Sequence, residues 1–120
     1  MKFHSNGDFA VHVKDIRKAK AFYEGVLGFK RLRWKEPHLA YKTGTFILYV
    51  NKDSRNIPFI PALEVADYEQ AKEYLKKKGC KIVRQWPRYK ALYFKDPFGH
   101  HIDIIESARA RRIGCGILRR

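Results

Sequence analysis

Residues 94–106 read FKDPFGHHIDIIE: a strand end, a D-P-x-G turn and a second strand. In the second strand Ile102 and Ile104 fall on one side, His101 and Asp103 on the other. Period-two alternation of this kind marks a strand with one face in a core and one face turned elsewhere. The polar face meets water, a subunit or a ligand cavity, and the pattern upstream narrows the choice.

That pattern is written twice. In DFAVHV, Phe9, Val11 and Val13 alternate with Asp8, Ala10 and His12. Asp15 then caps a helix with Ile16, Ala19, Phe22, Tyr23, Val26 and Leu27 at helical spacing and Gly28 as its stop. The strands FKRLRW, HLAYK and TFILYVN follow, divided by Glu36-Pro37 and Thr43-Gly44. The second half repeats the order. FIPALEV is a strand, and Asp67 with Gln70 forms a capping box ahead of Ala71, Tyr74, Leu75 and Gly79. CKIVRQW, KALYFK and HHIDIIE are the strands that close it. The expectation is an α+β fold of two βαβββ modules, about 7–52 and 58–106, within a domain of residues 1–107.

Each helix must cover the apolar face of its own sheet. Phe9, Val11, Val13, Leu63, Val65, Ile102 and Ile104 are therefore assigned to the helix side, and Asp8, Ala10, His12, Ala62, Glu64, His101 and Asp103 to the other. Small residues alternating with titratable ones suit a hollow, which is read here as a ligand cavity. Trp34, Tyr41, Phe46, Trp86 and Tyr89 are candidates for its walls, against the plainer reading that strand aromatics fill a core.

Composition sets the outer bounds. The chain has 120 residues, 45% of them hydrophobic, and a formal net charge of +14. Its length fits one domain that folds without staples. No apolar run approaches the roughly 20 residues of a bilayer span, and MKFHSNGDF lacks a signal-peptide apolar region. Cys80 and Cys115 form no zinc spacing or disulfide framework, so a cytoplasmic protein with reduced thiols is expected. The positive charge favours anionic partners, yet it is dispersed over helix faces and strands, as a solvated surface would be. No zinc finger, basic zipper or RNP-type strand is present, so a basic nucleic-acid-associated module ranks last. Residues 108–120, rich in arginine and without clean periodicity, read as a basic tail beyond the fold.

HVKDIRKAKAFYEGVLGF (12–29) and YFKDPFGHHIDIIE (93–106) resemble the signatures of the vicinal oxygen chelate superfamily. That superfamily includes glyoxalase I, bleomycin resistance proteins, fosfomycin resistance enzymes and extradiol dioxygenases. The resemblance spans about residues 7–106 and implies paired βαβββ modules forming a cup-shaped mixed sheet with helices outside, completed by dimerisation in short chains. It also implies four metal-ligand slots. These are expected at Asp8 and Ile60, each seven residues before a helix-capping aspartate, at Leu48 on the fourth strand, and at Asp103. Two aliphatic slots and a shortened carboxylate leave too few donors for a divalent site. No metal or other cofactor is therefore expected.

These readings lead to a metal-independent small-molecule-binding protein of the glyoxalase/bleomycin resistance type, a homodimer sequestering an anionic or neutral drug or metabolite. Its expected ligand-binding residues are Asp8, His12, Trp34, Phe46, Leu48, Ile60, Glu64, His101 and Asp103. The alternative is a lyase, isomerase or dioxygenase of the same superfamily, with displaced metal ligands or with His12, Glu64 or His101 as acid and base.

Overall fold

The computed structural model describes residues 1–35 and 37–114, the side chains of residues 34 and 112–114 excepted. Cys115 and the two final arginines of the tail lie outside the described residues. The chain divides into two compact units, residues 7–60 and residues 1–6 with 61–120. Its strands are β1 (His4–Val13), β2 (Lys30–Lys35), β3 (His38–Lys42), β4 (Ile47–Lys52), β5 (Ile57–Val65), β6 (Lys81–Trp86), β7 (Ala91–Lys95) and β8 (His101–Glu106). The helices are α1 (Ile16–Lys20), α2 (Tyr68–Lys77) and α3 (Ala108–Gly114). The mixed α+β organisation and the doubled strand–helix–three-strand order match the expectation.

In the first unit the strand order is β2-β3-β4-β1, with β1 parallel to β4 and the other pairs antiparallel. The second unit repeats it as β6-β7-β8-β5, with β5 parallel to β8. A parallel pair needs a crossover, and each module supplies one through its helix. Both helices begin where the aspartates predict. Asp15 Oδ1 accepts from the backbone N–H of Arg17 and Lys18, at 3.1 and 3.0 Å. Asp67 Oδ1 accepts from Gln70 N at 2.9 Å. Gly28 and Gly79 follow the helical segments at φ +72 and +90, where a side chain would be strained.

The helix faces bury the residues that alternation selects. Val11, Leu39, Tyr41, Leu48 and Val50 pack under Ile16 and Ala19 in the first unit. Val65, Leu92, Phe94 and Ile104 pack under Ala71 and Leu75 in the second. Tyr41 is fully buried, and its hydroxyl donates to Glu24 at 2.9 Å. Burial and that carboxylate together push the phenol pKa far upward.

Three features differ from the sequence reading. The first helix keeps α geometry only to Lys20 and widens into a π turn over Ala21–Val26, with Leu27 N donating to Phe22 O. Gly25 within that turn weakens the α preference, and π turns often mark functional segments. Residues 108–111, read as tail, instead start α3. Ala110 is buried, and Arg109 reaches back to β5. The terminal strands β2 and β6 each carry a bulge, between Arg31 and Arg33 and between Ile82 and Arg84. Bulges and cations are common protection for a sheet edge.

Candidate functional site

On β1 the side opposite the helix carries Asp8, Ala10 and His12, facing Ile47, Tyr49 and Asn51 of β4 in register. This face is only partly a hollow. Ala10, Ile57 and Ile60 are buried together with Tyr49 against them, a second small core within the first unit. Asp8 borders that core. Burial raises the Tyr49 pKa, the Asp8 carboxylate raises it further, and Arg33 works the other way. Tyr49, near an acid and a base, is a further candidate residue that alternation alone does not mark.

His12 is 5% exposed, and its Nδ1 lies 2.6 Å from Asp53 Oδ2. Asp53 also accepts from the backbone N–H of Ser54 at 2.6 Å. The His12 bond, more than Ser54, holds the Asp53 carboxyl below its usual range, against the opposing effect of burial. An ionised carboxylate only accepts, so Nδ1 carries the proton of this pair. A histidine with its tautomer fixed by a carboxylate is oriented for proton transfer. The same bond also ties the turn after β4 to β1.

The second unit places Ala62 beside Asp103 and Glu64 beside Ile105, with Tyr93 across from Asp103 and Lys95 across from His101. His101 and Asp103 are half-buried on this helix-free side, as the alternation predicts. Glu64 is 8% exposed and committed to structure. Arg109 grips it with Nε at 3.0 Å and Nη2 at 2.7 Å, and Ser107 Oγ donates at 3.1 Å. A cavity of about 390 Å³ opens beside it, lined by Met1, Lys2, His4, Glu64, Gln70 and Ala110 among others. His4 Nδ1 is buried there without a hydrogen-bond partner among the described residues.

Two expected ligand-binding residues are corrected, and so is the wall candidate Tyr41, which is buried in the core under α1. Leu48 is 1% exposed inside the core under α1. Phe46 packs on the same side, edge-on to Phe9 at 4.9 Å and to Phe59 at 6.2 Å. Both have the parity of Val50, which faces the helix, so neither reaches the face of Asp8 and His12. Trp34 pairs through its backbone with Leu39, and its side chain is outside the described residues. Asp8, His12 and Ile60 thus stand on the helix-free face of the first unit. Glu64, His101 and Asp103 stand on the face of the second unit opposite α2, where Arg109 of α3 reaches Glu64. His100 belongs to the β7–β8 turn, where Asp96 accepts from the backbone N–H of Phe98 and His100.

The register also relocates one metal slot. Ala10 and Ala62 each lie five residues before a capping aspartate, and they pair with Tyr49 and Asp103 respectively. Tyr49, not Leu48, is therefore the counterpart of Asp103. The four slots hold two carboxylates, an aliphatic side chain and a phenol whose pKa is raised, which resists becoming a phenolate ligand. Among the described residues no three His, Cys, Asp or Glu side chains group as a ligand set. The four slots thus offer two carboxylate donors, fewer than the three that a divalent site needs. Among the described residues, no helix is long and apolar enough to cross a membrane.

Residues 7–104 match the family described as the Glyoxalase/Bleomycin resistance protein/Dioxygenase superfamily. No curated protein matches the sequence. Among solved structures, a hypothetical protein from Bacillus halodurans C-125 superposes with a TM-score of 0.63 at 12% identity, covering 89% of this chain and 96% of that one. A protein titled NAD-dependent benzaldehyde dehydrogenase, from Legionella pneumophila, gives 0.63 at 16% identity, covering 82% and 96%. A homoprotocatechuate 2,3-dioxygenase variant from B. fuscum, in complex with HPCA, gives 0.65 at 20% identity, covering 88% of this chain and 33% of that one. The present chain thus spans about a third of the dioxygenase. At these identities the likeness is one of fold.

Proposed function

Because the chain belongs to the glyoxalase/bleomycin resistance protein/dioxygenase superfamily, we propose that it binds a small organic molecule without a metal. In this reading it acts in the cytoplasm as a homodimer that sequesters an anionic or neutral drug or metabolite. The observation that carries it is the donor set at the four family slots: Asp8, Tyr49, Ile60 and Asp103. A divalent site needs at least three well-placed donors and open positions, and this set offers two carboxylates at most without an unfavourable phenolate. Binding then depends on shape, hydrogen bonds and charge. Asp8, His12 and Tyr49 on the first unit, and separately His101 and Asp103 on the second, are the polar groups proposed to orient a ligand. Ala10, Ile60 and Ala62 supply apolar backing.

The test is direct. The protein is incubated with a panel of aromatic carboxylates and glycopeptide drugs, and binding is followed by calorimetry with and without EDTA. The reading expects a ligand recovered chemically unchanged, with affinity unaffected by the chelator. Turnover that EDTA abolishes would refute it.

The His12–Asp53 pair favours a second reading, a metal-free isomerase or lyase with His12 as acid or base and Asp53 as its positioning residue. A catalysed change of a bound ligand that His12→Gln removes, with binding retained, would establish this reading. Ligand recovered unchanged in every case would dismiss it.

A further inference from the structure

The positive charge is the compositional feature that small-molecule binding leaves unexplained, and the β6–β7 hairpin carries part of it beside aromatic rings. From Cys80 to Lys95 the chain holds Lys81, Arg84, Arg88, Lys90 and Lys95 and no acidic residue. Folding brings them together. β6 and β7 pair so that Lys81 faces Lys95 directly, Arg84 faces Tyr93 and Trp86 faces Ala91. Like charges opposite one another on a sheet are destabilising. On α2, by contrast, Lys72 and Lys76 have carboxylates at 3.4 and 3.8 Å. On the hairpin Lys90 meets Glu106 at 3.4 Å. Among the described residues no ion pair engages the other four cations.

Aromatic rings lie between these charges. Trp86 and Tyr93 meet edge-to-face at 4.9 Å, and the Arg84 guanidinium sits 5.7 Å over the Trp86 ring. At the hairpin tip Arg88 lies 6.0 Å from the Tyr89 ring, and Tyr89 is 65% exposed. Protection of a sheet edge accounts for the cations and the bulge at Ile82/Arg84, but it does not require exposed aromatics. Rings alternating with guanidinium groups along a cationic strand are the chemistry that holds unstacked bases and their phosphates.

We propose that the β6–β7 hairpin is a docking surface for single-stranded nucleic acid. β6 has six residues and so runs for about 20 Å, enough for roughly three nucleotides and more than a small anion needs. An acidic peptide adding as a strand is disfavoured because the bulge breaks the edge register it would use. A duplex is disfavoured because its bases are stacked on one another and cannot meet Trp86 or Tyr89. The partner is recognised by charge and stacking, so sequence preference is weak.

The full chain is titrated against a fluorescein-labelled 15-nucleotide oligothymidylate, its duplex form and inorganic polyphosphate, with anisotropy read across a salt series. Arg84→Ala/Arg88→Ala is compared with Lys76→Ala/Lys77→Ala on α2, which removes equal charge elsewhere. The hairpin pair should weaken oligonucleotide binding about tenfold more than the helix pair. Tyr89→Ala, at an exposed position that spares folding, should weaken the oligonucleotide roughly fivefold or more and leave polyphosphate unchanged. Equal loss from both double variants, an indifferent Tyr89→Ala, or a duplex bound as tightly as the single strand would overturn the proposal.

Discussion

Replacing Arg109 by alanine isolates the contact that seats α3 on the second module. Arg109 donates two bonds to Glu64, at 3.0 and 2.7 Å, and Glu64 is 8% exposed. Charge-assisted bonds are each worth about 1.5–3 kcal/mol, and stranding a buried carboxylate adds a penalty. Half the Arg109 side chain is in solvent, at 49% exposure, and Ser107 remains bonded to Glu64 in the variant. Screening therefore reduces the loss, to about 2 kcal/mol. For a domain of this size that lowers Tm by about 6–12 °C. Arg111→Ala serves as the control. Arg111 is exposed, with one bond to Ala66 O at 3.2 Å and a 3.6 Å approach to Glu106. It should cost no more than about 0.5 kcal/mol. Converting both Glu64 and Arg109 to leucine should restore much of the stability, because no charge is then buried unpaired. Scanning calorimetry at neutral pH reads all four proteins. If Arg109→Ala melts within about 2 °C of wild type, or no lower than Arg111→Ala, residues 108–111 are an appendage and the reasoning fails.

Three further outcomes follow from the same geometry. Asp53 has its pKa lowered by His12, so its stabilisation is full above its unfolded value of about 3.9 and is lost as pH falls through the folded value. Asp53→Asn should thus be less stable than wild type at pH 7, with the gap closing under acid in urea titrations; a constant gap would contradict the assignment. Leu48→Ala should cost about 2–5 kcal/mol in chemical denaturation and leave ligand affinity unchanged at conditions where it stays folded, since Leu48 is core and not cavity wall. A two-fold dimer should appear by sedimentation at micromolar concentration; monomer alone at high concentration would remove that part of the functional proposal.

Where the alternation is clean, the sequence is legible down to single residues. Phe9, Val11 and Val13 against Asp8, Ala10 and His12 give the two faces of β1, and Ile102 and Ile104 against His101 and Asp103 give those of β8. Asp15, Asp67, Gly28 and Gly79 mark the helix limits through local chemistry. TFILYVN defeats the same reasoning. It is nearly all apolar, so its period carries no signal, and the fourth-strand slot moves one residue, from Leu48 to Tyr49, once pairing with Ala10 is known. A one-residue slip exchanges the faces of the whole strand. That is why Phe46 and Leu48 were both placed on the wrong side. The partners of His12 and Glu64 are 41 and 45 residues distant, and no local pattern announces such contacts. Arg109 was hidden among other arginines in a segment without periodicity, and Asp53 stood in a loop beside Ser54 with nothing to set it apart.

The donor set at Asp8, Tyr49, Ile60 and Asp103 carries the metal-free reading. Its most direct test is the metal content of protein expressed without an affinity tag, purified without chelator and measured by plasma mass spectrometry. The account predicts far less than one equivalent of iron, manganese, nickel, zinc or cobalt per chain. It also predicts no rise in Tm on adding any of them. One equivalent of a single metal that survives dialysis and is lost in Asp103→Asn would contradict it and restore the metal-dependent chemistry of the superfamily.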